Sequence, residues 1–342
     1  MGSPSAYAKV VPRLRLLKAG LMGAKVRELS PPLAEALSYL RETMYSPLAE
    51  AKDVKSIERG IAGLFFSAVD DLLRLSPEEA ASVVLSFGLA REVEDLLTIS
   101  RAVAEGSSLP LWLPSMEWPS SEVGYFLGEL EASPSTSRIP DLVREPRLRA
   151  ALTGAIQAYA ETKSPETFTW YALGAETAIF NTALESLEGQ DRVSAQAVVC
   201  PLVEERVALA ALEAWALRLN PRTLARSLPP KAVCGINTGA IASAYERNLE
   251  SDVVSLSMEL SGLLKHARAE GKSLKEVMRS VRRTARVSAT RAAAAAFEGY
   301  PYTPALVAAG LVLLSIDLDN LRTALVGIGL GLSQSELEVA LA

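Results

Sequence analysis

The chain has 342 residues, 49% of them hydrophobic and 6% aromatic, with a formal net charge of -5 and a sequence pI near 5.3. That length is enough to bury a sizeable core and to divide into two or three domains. The acidic balance argues against a dedicated nucleic-acid binder, and one histidine with two cysteines gives neither a multi-histidine metal centre nor a disulfide framework.

Residues 1–9 lack the apolar core of a secretory signal. Helix starts recur as Ser-Pro pairs at Ser46-Pro47, Ser76-Pro77 (with Glu79 placed for a capping box) and Ser164-Pro165. Asp70-Asp71 runs into Leu72-Leu73-Arg74, so the third carboxylate of a helical magnesium site is missing and the pair reads as a polar helix face. A first helical segment starts at Arg91 as Arg91-Glu92-Val93-Glu94-Asp95-Leu96-Leu97. Its apolar stripe is Leu89, Val93, Leu96 and Val103. It ends at Gly106-Ser107-Ser108.

Proline-rich stretches then break the pattern at residues 107–121 and 132–140. A second copy reads Val203-Glu204-Glu205-Arg206-Val207-Ala208-Leu209, with Ala208, Leu212, Trp215 and Leu219 on its stripe. It ends at Arg218-Leu219-Asn220, where Asn220-Pro221 is an N-cap followed by proline at the first helical position. Cys200 and Cys234 have no metal spacing, and a reducing compartment is the simpler reading. Residues 227–239 form another Pro/Gly-rich break.

His266 lies among helix formers and reads as a solvated or cap-proximal residue. Ser273 with Glu276 is a further capping box. Arg279, Arg282, Arg283 and Arg286 step by three, one and three, so they share a helix face. A solvated face, a patch for an acidic protein partner, and contact with phosphate or anionic headgroups are the open readings. The run Ala292 to Ala296 beside them suits tight helix packing. The most apolar segment, residues 305–316, is short of the roughly 20 residues a spanning helix needs, which leaves a soluble or peripheral protein.

The clearest copy closes the chain: Ile316-Asp317-Leu318-Asp319-Asn320-Leu321-Arg322-Thr323. Leu311, Leu314, Leu318, Leu321, Leu325, Ile328 and Leu332 form one stripe, with Asp317, Asp319, Asn320 and Arg322 off it. Gly327, Gly329 and Gly331 have the wrong spacing for a phosphate loop and suit close packing and a helix stop. Ser333 with Glu336 caps the next helix. Asp319 aligns with Arg206 and Glu94 at near-equal steps, so Glu94, Leu96, Arg206, Ala208, Asp319, Asn320, Leu321 and Arg322 mark a repeated module. No period-two alternation bounded by hairpin turns occurs. The expected fold is all-α, in three pseudo-repeated helical lobes at residues 1–115, 116–228 and 229–342. The chain supplies no elbow serine, no Cys-x-x-Cys and no converging set of titratable groups, so neither catalytic residues nor a cofactor is expected.

The terminal motif, followed by Gly329-Leu330-Gly331-Leu332-Ser333, resembles the signature of the C subunit of archaeal and vacuolar-type rotary ATP synthases, whose eukaryotic counterpart is the d subunit. Tyr7 leading into Arg13, Arg15 and Lys18 is similar to that family's opening. Lys9 stands where a second tyrosine is usual. Pro12 replaces a small helix former and is expected to start the first helix near Val11 or Pro12. The resemblance implies three lobes forming a funnel-like socket and a non-catalytic rotor part. It implies central-stalk subunits and the membrane proteolipid ring as partners. It also implies a peripheral position on the cytoplasmic face of the membrane. A helical-repeat scaffold outside this family and a helical enzyme with an unrecognised site are the competing readings.

Overall fold

The computed structural model describes residues 4–106, 135–143, 146–228 and 234–341. No strand occurs among them, and the fold is all-α. The described helices are α1 (Pro4–Tyr7), α2 (Val10–Gly20), α3 (Leu33–Tyr39), α4 (Val54–Leu75) and α5 (Glu78–Ala104). They continue as α6 (Ile139–Leu142), α7 (Pro146–Thr162), α8 (Glu166–Glu185), α9 (Gly189–Ala216) and α10 (Pro221–Ser227). The last are α11 (Thr238–Arg247), α12 (Val253–Leu263), α13 (Leu274–Glu298), α14 (Pro304–Gly329) and α15 (Gln334–Ala340).

α14 organises the body. It packs against α2, α4, α5, α9 and α13. Residues 304–312 are all buried, as expected of a helix apolar on every side. At 26 residues α14 has the length and composition to cross a membrane, beyond the short segment read from the sequence. Yet 72% of its apolar window is covered by the rest of the chain. Its second half buries Leu314, Leu318, Leu321, Leu325 and Ile328, as the stripe requires. These side chains share one core with Met22, Val26, Leu29, Leu37, Leu40, Tyr45 and Leu48. The two ends of the chain are therefore packed into each other.

The three copies end alike. Gly106, Arg218 and Gly331 all adopt the left-handed conformation, with φ of 63°, 52° and 85°. The amides of Leu219 and Leu332 reach back five residues, to the carbonyls of Ala214 and Gly327. This is the hydrogen-bond pattern of a Schellman C-cap. The steps between the three positions, 112 and then 113 residues, equal the spacing of the copies. Arg218 adopts this conformation without being glycine, and its guanidinium lies 5.0 Å from the Trp215 ring centroid.

Local capping follows the sequence in part. Asn220 caps α10, Ser273 caps α13, and Ser333 with Glu336 forms a capping box. The Glu276 carboxylate turns to the Lys272 amide rather than back to Ser273. Ser76 instead closes α4, and α5 starts after Pro77 without a side-chain cap, so the expected box with Glu79 is absent. Asp53 and Ser56 supply an unforeseen capping box for α4. The helix that carries Arg13, Arg15 and Lys18 starts at Val10, one residue before the expected Val11. α1 starts at Pro4, and Pro12 sits in the first turn of α2, where its missing N–H costs nothing. Of the Pro-rich breaks, residues 107–121 lie outside the described residues, while the described part of 132–140 is largely helical.

Candidate functional site

The aligned charged residues of the three copies gather into one seam. Arg206 of α9 donates to Glu94 of α5 at 2.9 Å and also pairs with the buried Glu176 of α8. Arg91, one turn before Glu94, holds the other oxygen of the same carboxylate at 2.9 Å. Arg286 of α13 bridges Glu205 of α9 at 3.3 Å and Asp319 of α14 at 3.0 Å. Arg322 of α14 reaches across to Glu58 of α4 at 2.7 Å. Six helices are thereby cross-linked through charge.

The local electrostatics are those of a partly desolvated network. Burial opposes ionisation of Glu94, but Arg206 and Arg91 outweigh it and hold its carboxyl below the usual range. Burial pushes Glu205 up, against the pull of Arg286. Burial also works against the charge of Arg286, while Glu205 and Asp319 more than restore it. Asp95, beside Glu94 but turned into the core, is pushed up to about 7 by burial, against Arg91 and with Glu94. Exposed ion pairs contribute about 0–1 kcal/mol each, whereas removing one partner of a buried pair costs roughly 3–5 kcal/mol. The seam thus fixes which helices face which more than it adds to total stability.

A second set of equivalent positions lies two residues earlier in each copy: Glu92, Glu204 and Asp317, all buried. Asp317 accepts the amides of Met22 at 2.9 Å and Gly23 at 2.7 Å, and also the Tyr45 hydroxyl. Burial and the adjacent carboxylate hold that hydroxyl above its ordinary range, so it stays a donor. Glu204 likewise accepts two consecutive amides, those of His266 and Ala267. Asp317 and Glu204 each anchor a chain segment distant in sequence onto a core helix. The sequence reading set Asp317 off the apolar stripe with Asp319, Asn320 and Arg322, without a place in the core. Asp317 is buried nonetheless, because its carboxylate satisfies backbone donors rather than facing water. An acid at this register in all three copies was the available signal.

Of the marked signature residues, Glu94, Arg206, Asp319 and Arg322 enter the seam. Leu96, Ala208 and Leu321 are buried in the core behind it, and Asn320 is half-buried. The arginine face of α13 divides. Arg286 turns inward, while Arg279, Arg282 and Arg283 remain exposed. His266 lies in the non-helical segment after α12, half-buried, with Nδ1 2.8 Å from Ser288 Oγ. It stands two residues past Leu264, the C-cap of α12. Cys200 and Cys234 form a disulfide across a separation of 34 residues, which overturns the reading of unlinked thiols. Spacing gave no sign of it, since α9 and the segment before α11 meet only in the folded chain. Asp71 pairs with Arg13 and Arg74, Tyr7 is buried against Tyr302, and Lys18 stands 4.6 Å over the Phe297 ring. A Cβ on Gly327 would meet Leu337 Cδ2 at 2.6 Å, so this glycine serves close packing. Among the described residues no group of three or more His, Cys, Asp or Glu side chains is placed to hold a metal ion. A shallow groove of about 480 Å³ between α11 and α12 is lined by Ala240, Ser243, Arg247, Glu259, Gly262 and Leu263.

Fold and seam define an all-helical protein whose shared polar positions join its own parts into one body. Residues 10–339 match the family model described as ATP synthase (C/AC39) subunit, and the chain belongs to that family. It is accordingly a subunit of an ATP synthase complex of the V/A type. No curated protein sequence matches the chain.

Proposed function

We propose that this chain is the non-catalytic rotor subunit that couples the central stalk of a V/A-type ATP synthase to the membrane proteolipid ring. In this reading it works at the cytoplasmic face of the membrane, touching the bilayer only through the ring. Residues 1–115, 116–228 and 229–342 act as three lobes around a socket. The family match over residues 10–339 carries the assignment. The seam supports the mechanical part. A torque coupler must resist shear between its own helices, and charge pairs that bridge six helices penalise any slip of one against another. The Asp317 and Glu204 anchors act in the same sense, because a slip would leave paired, buried or part-buried amides without acceptors.

Purification of the native protein in mild detergent, followed by mass spectrometry of its companions, tests this. Catalytic-head subunits, stalk subunits and a small, very hydrophobic proteolipid are expected together. Recovery of the head and peripheral subunits without stalk or proteolipid would refute the rotor placement.

A further inference from the structure

The face of α13 that looks away from the core is strongly basic. α13 buries Val277, Val281, Ala285, Ala289 and Ala293 and packs on α9 and α14. Its opposite side exposes Lys275, Arg279, Arg282, Arg283 and Arg291. Arg286, one turn on from Arg282, is neutralised by Glu205 and Asp319. Arg279, Arg282 and Arg283 have no such partner among the described residues. Arg282 acts on Glu205 and Glu213 only through space.

This arrangement is unfavourable in the isolated chain. Lys275–Arg279 and Arg279–Arg283 are like charges four apart, and Arg279–Arg282 are three apart. Like charges at this spacing destabilise a helix. A simple solvated face would alternate signs. The only acids on the helix are Glu276, which stands three residues before Arg279 but is taken up by the Lys272 amide, and Glu298 at the C-terminal end. The chain as a whole carries -5, so the patch is not part of a generally basic surface.

We infer that the Arg279–Arg282–Arg283 face of α13 docks an acidic helical segment of a partner protein. Three guanidiniums on one helix face rise over about 6 Å from Arg279 to Arg283, the reach of acidic residues one turn apart on a second helix. Their planar forks suit carboxylates. An anionic membrane fits less well. Among the described residues the only large apolar side chain exposed beside the arginines is Val287 and no aromatic is exposed on this face, and the overall negative charge opposes approach to such a surface. The inference rests on the reading that the chain works inside an assembly, but it concerns a different surface from the seam.

The test uses the full chain and a fluorescein-labelled alanine-based peptide of about 20 residues, with glutamates at successive i and i+4 positions. A second peptide of the same length and glutamate count, broken by prolines, is the control. Vesicles of phosphatidylglycerol in phosphatidylcholine form a further arm. The chain is expected to bind the helical peptide more tightly than the broken one, with affinity falling as salt rises. The triple variant Arg279→Glu, Arg282→Glu, Arg283→Glu is expected to lose about tenfold or more of that affinity with an unchanged melting temperature. Arg279→Gln, Arg282→Gln, Arg283→Gln is expected to move in the same direction should the charge reversal disturb the fold. Three results would overturn the inference: no peptide binding, binding that survives both triple variants, or vesicle capture through these arginines without peptide binding. None of them touches the co-purification result, so failure here and failure of the rotor assignment are separable.

Discussion

Replacing Asp317 with alanine removes the acceptor for three donors at once. Two are the amides of Met22 and Gly23 and one is the Tyr45 hydroxyl. A buried donor left without a partner costs about 1–3 kcal/mol. Gly23 lies on the half-open side, where water can replace the carboxylate, so the full sum is not reached. A loss of about 4 kcal/mol is expected. Unfolding entropy of about 2.1 cal/mol/K per residue gives roughly 0.7 kcal/mol/K for this chain, so the melting temperature should fall by about 6 °C. Asp317→Asn keeps one acceptor oxygen and should cost about half as much. Circular dichroism melting provides the stability, and hydrogen exchange at the Met22 and Gly23 amides localises it. Exchange at those two amides should rise well before the α9 amides respond. If Asp317→Ala melts within about 1 °C of the parent and leaves both amides protected, the anchor is not what holds the N-terminal segment to α14.

Leu321 is fully buried, so Leu321→Asp should cost about 4 kcal/mol or more by placing an unpaired charge in the core, and an unchanged melting temperature would sink that placement. Asp95 is pushed up to about 7 in the folded chain, against an ordinary value near 3.9, so its contribution to stability is fully present below pH ~4 and lost as pH rises through about 7. Asp95→Asn should therefore melt higher than the parent at pH 8, by up to about 4 kcal/mol in stability, with the gain fading toward pH 4. A difference that does not vary with pH would refute the burial argument. Closing a loop with a separation of 34 residues through Cys200–Cys234 is worth about 4 kcal/mol in the chain-entropy account, so reductant should lower the melting temperature. Two titratable thiols in the denatured, unreduced protein would show that the bond is absent.

The sequence by itself determined the helical class, the buried stripe of the C-terminal helix and the repetition of its end. Those are local properties. A period of three and four residues fixes which side chains share a face, and a left-handed closing residue fixes where a helix stops, as Gly106, Arg218 and Gly331 show at near-equal spacing. Only the tertiary structure decided what the polar residues do. Asp317 and Asp319 are two positions apart on one helix, yet one anchors backbone amides in the core and the other meets Arg286 in the seam. Arg283 and Arg286 share a face by spacing, but only Arg286 finds acids. The cysteines met because the segment leading into α11 folds back against α9. Periodicity reports the environment a single helix needs, whereas a hydrogen bond or ion pair is settled by which remote segment closes over that helix.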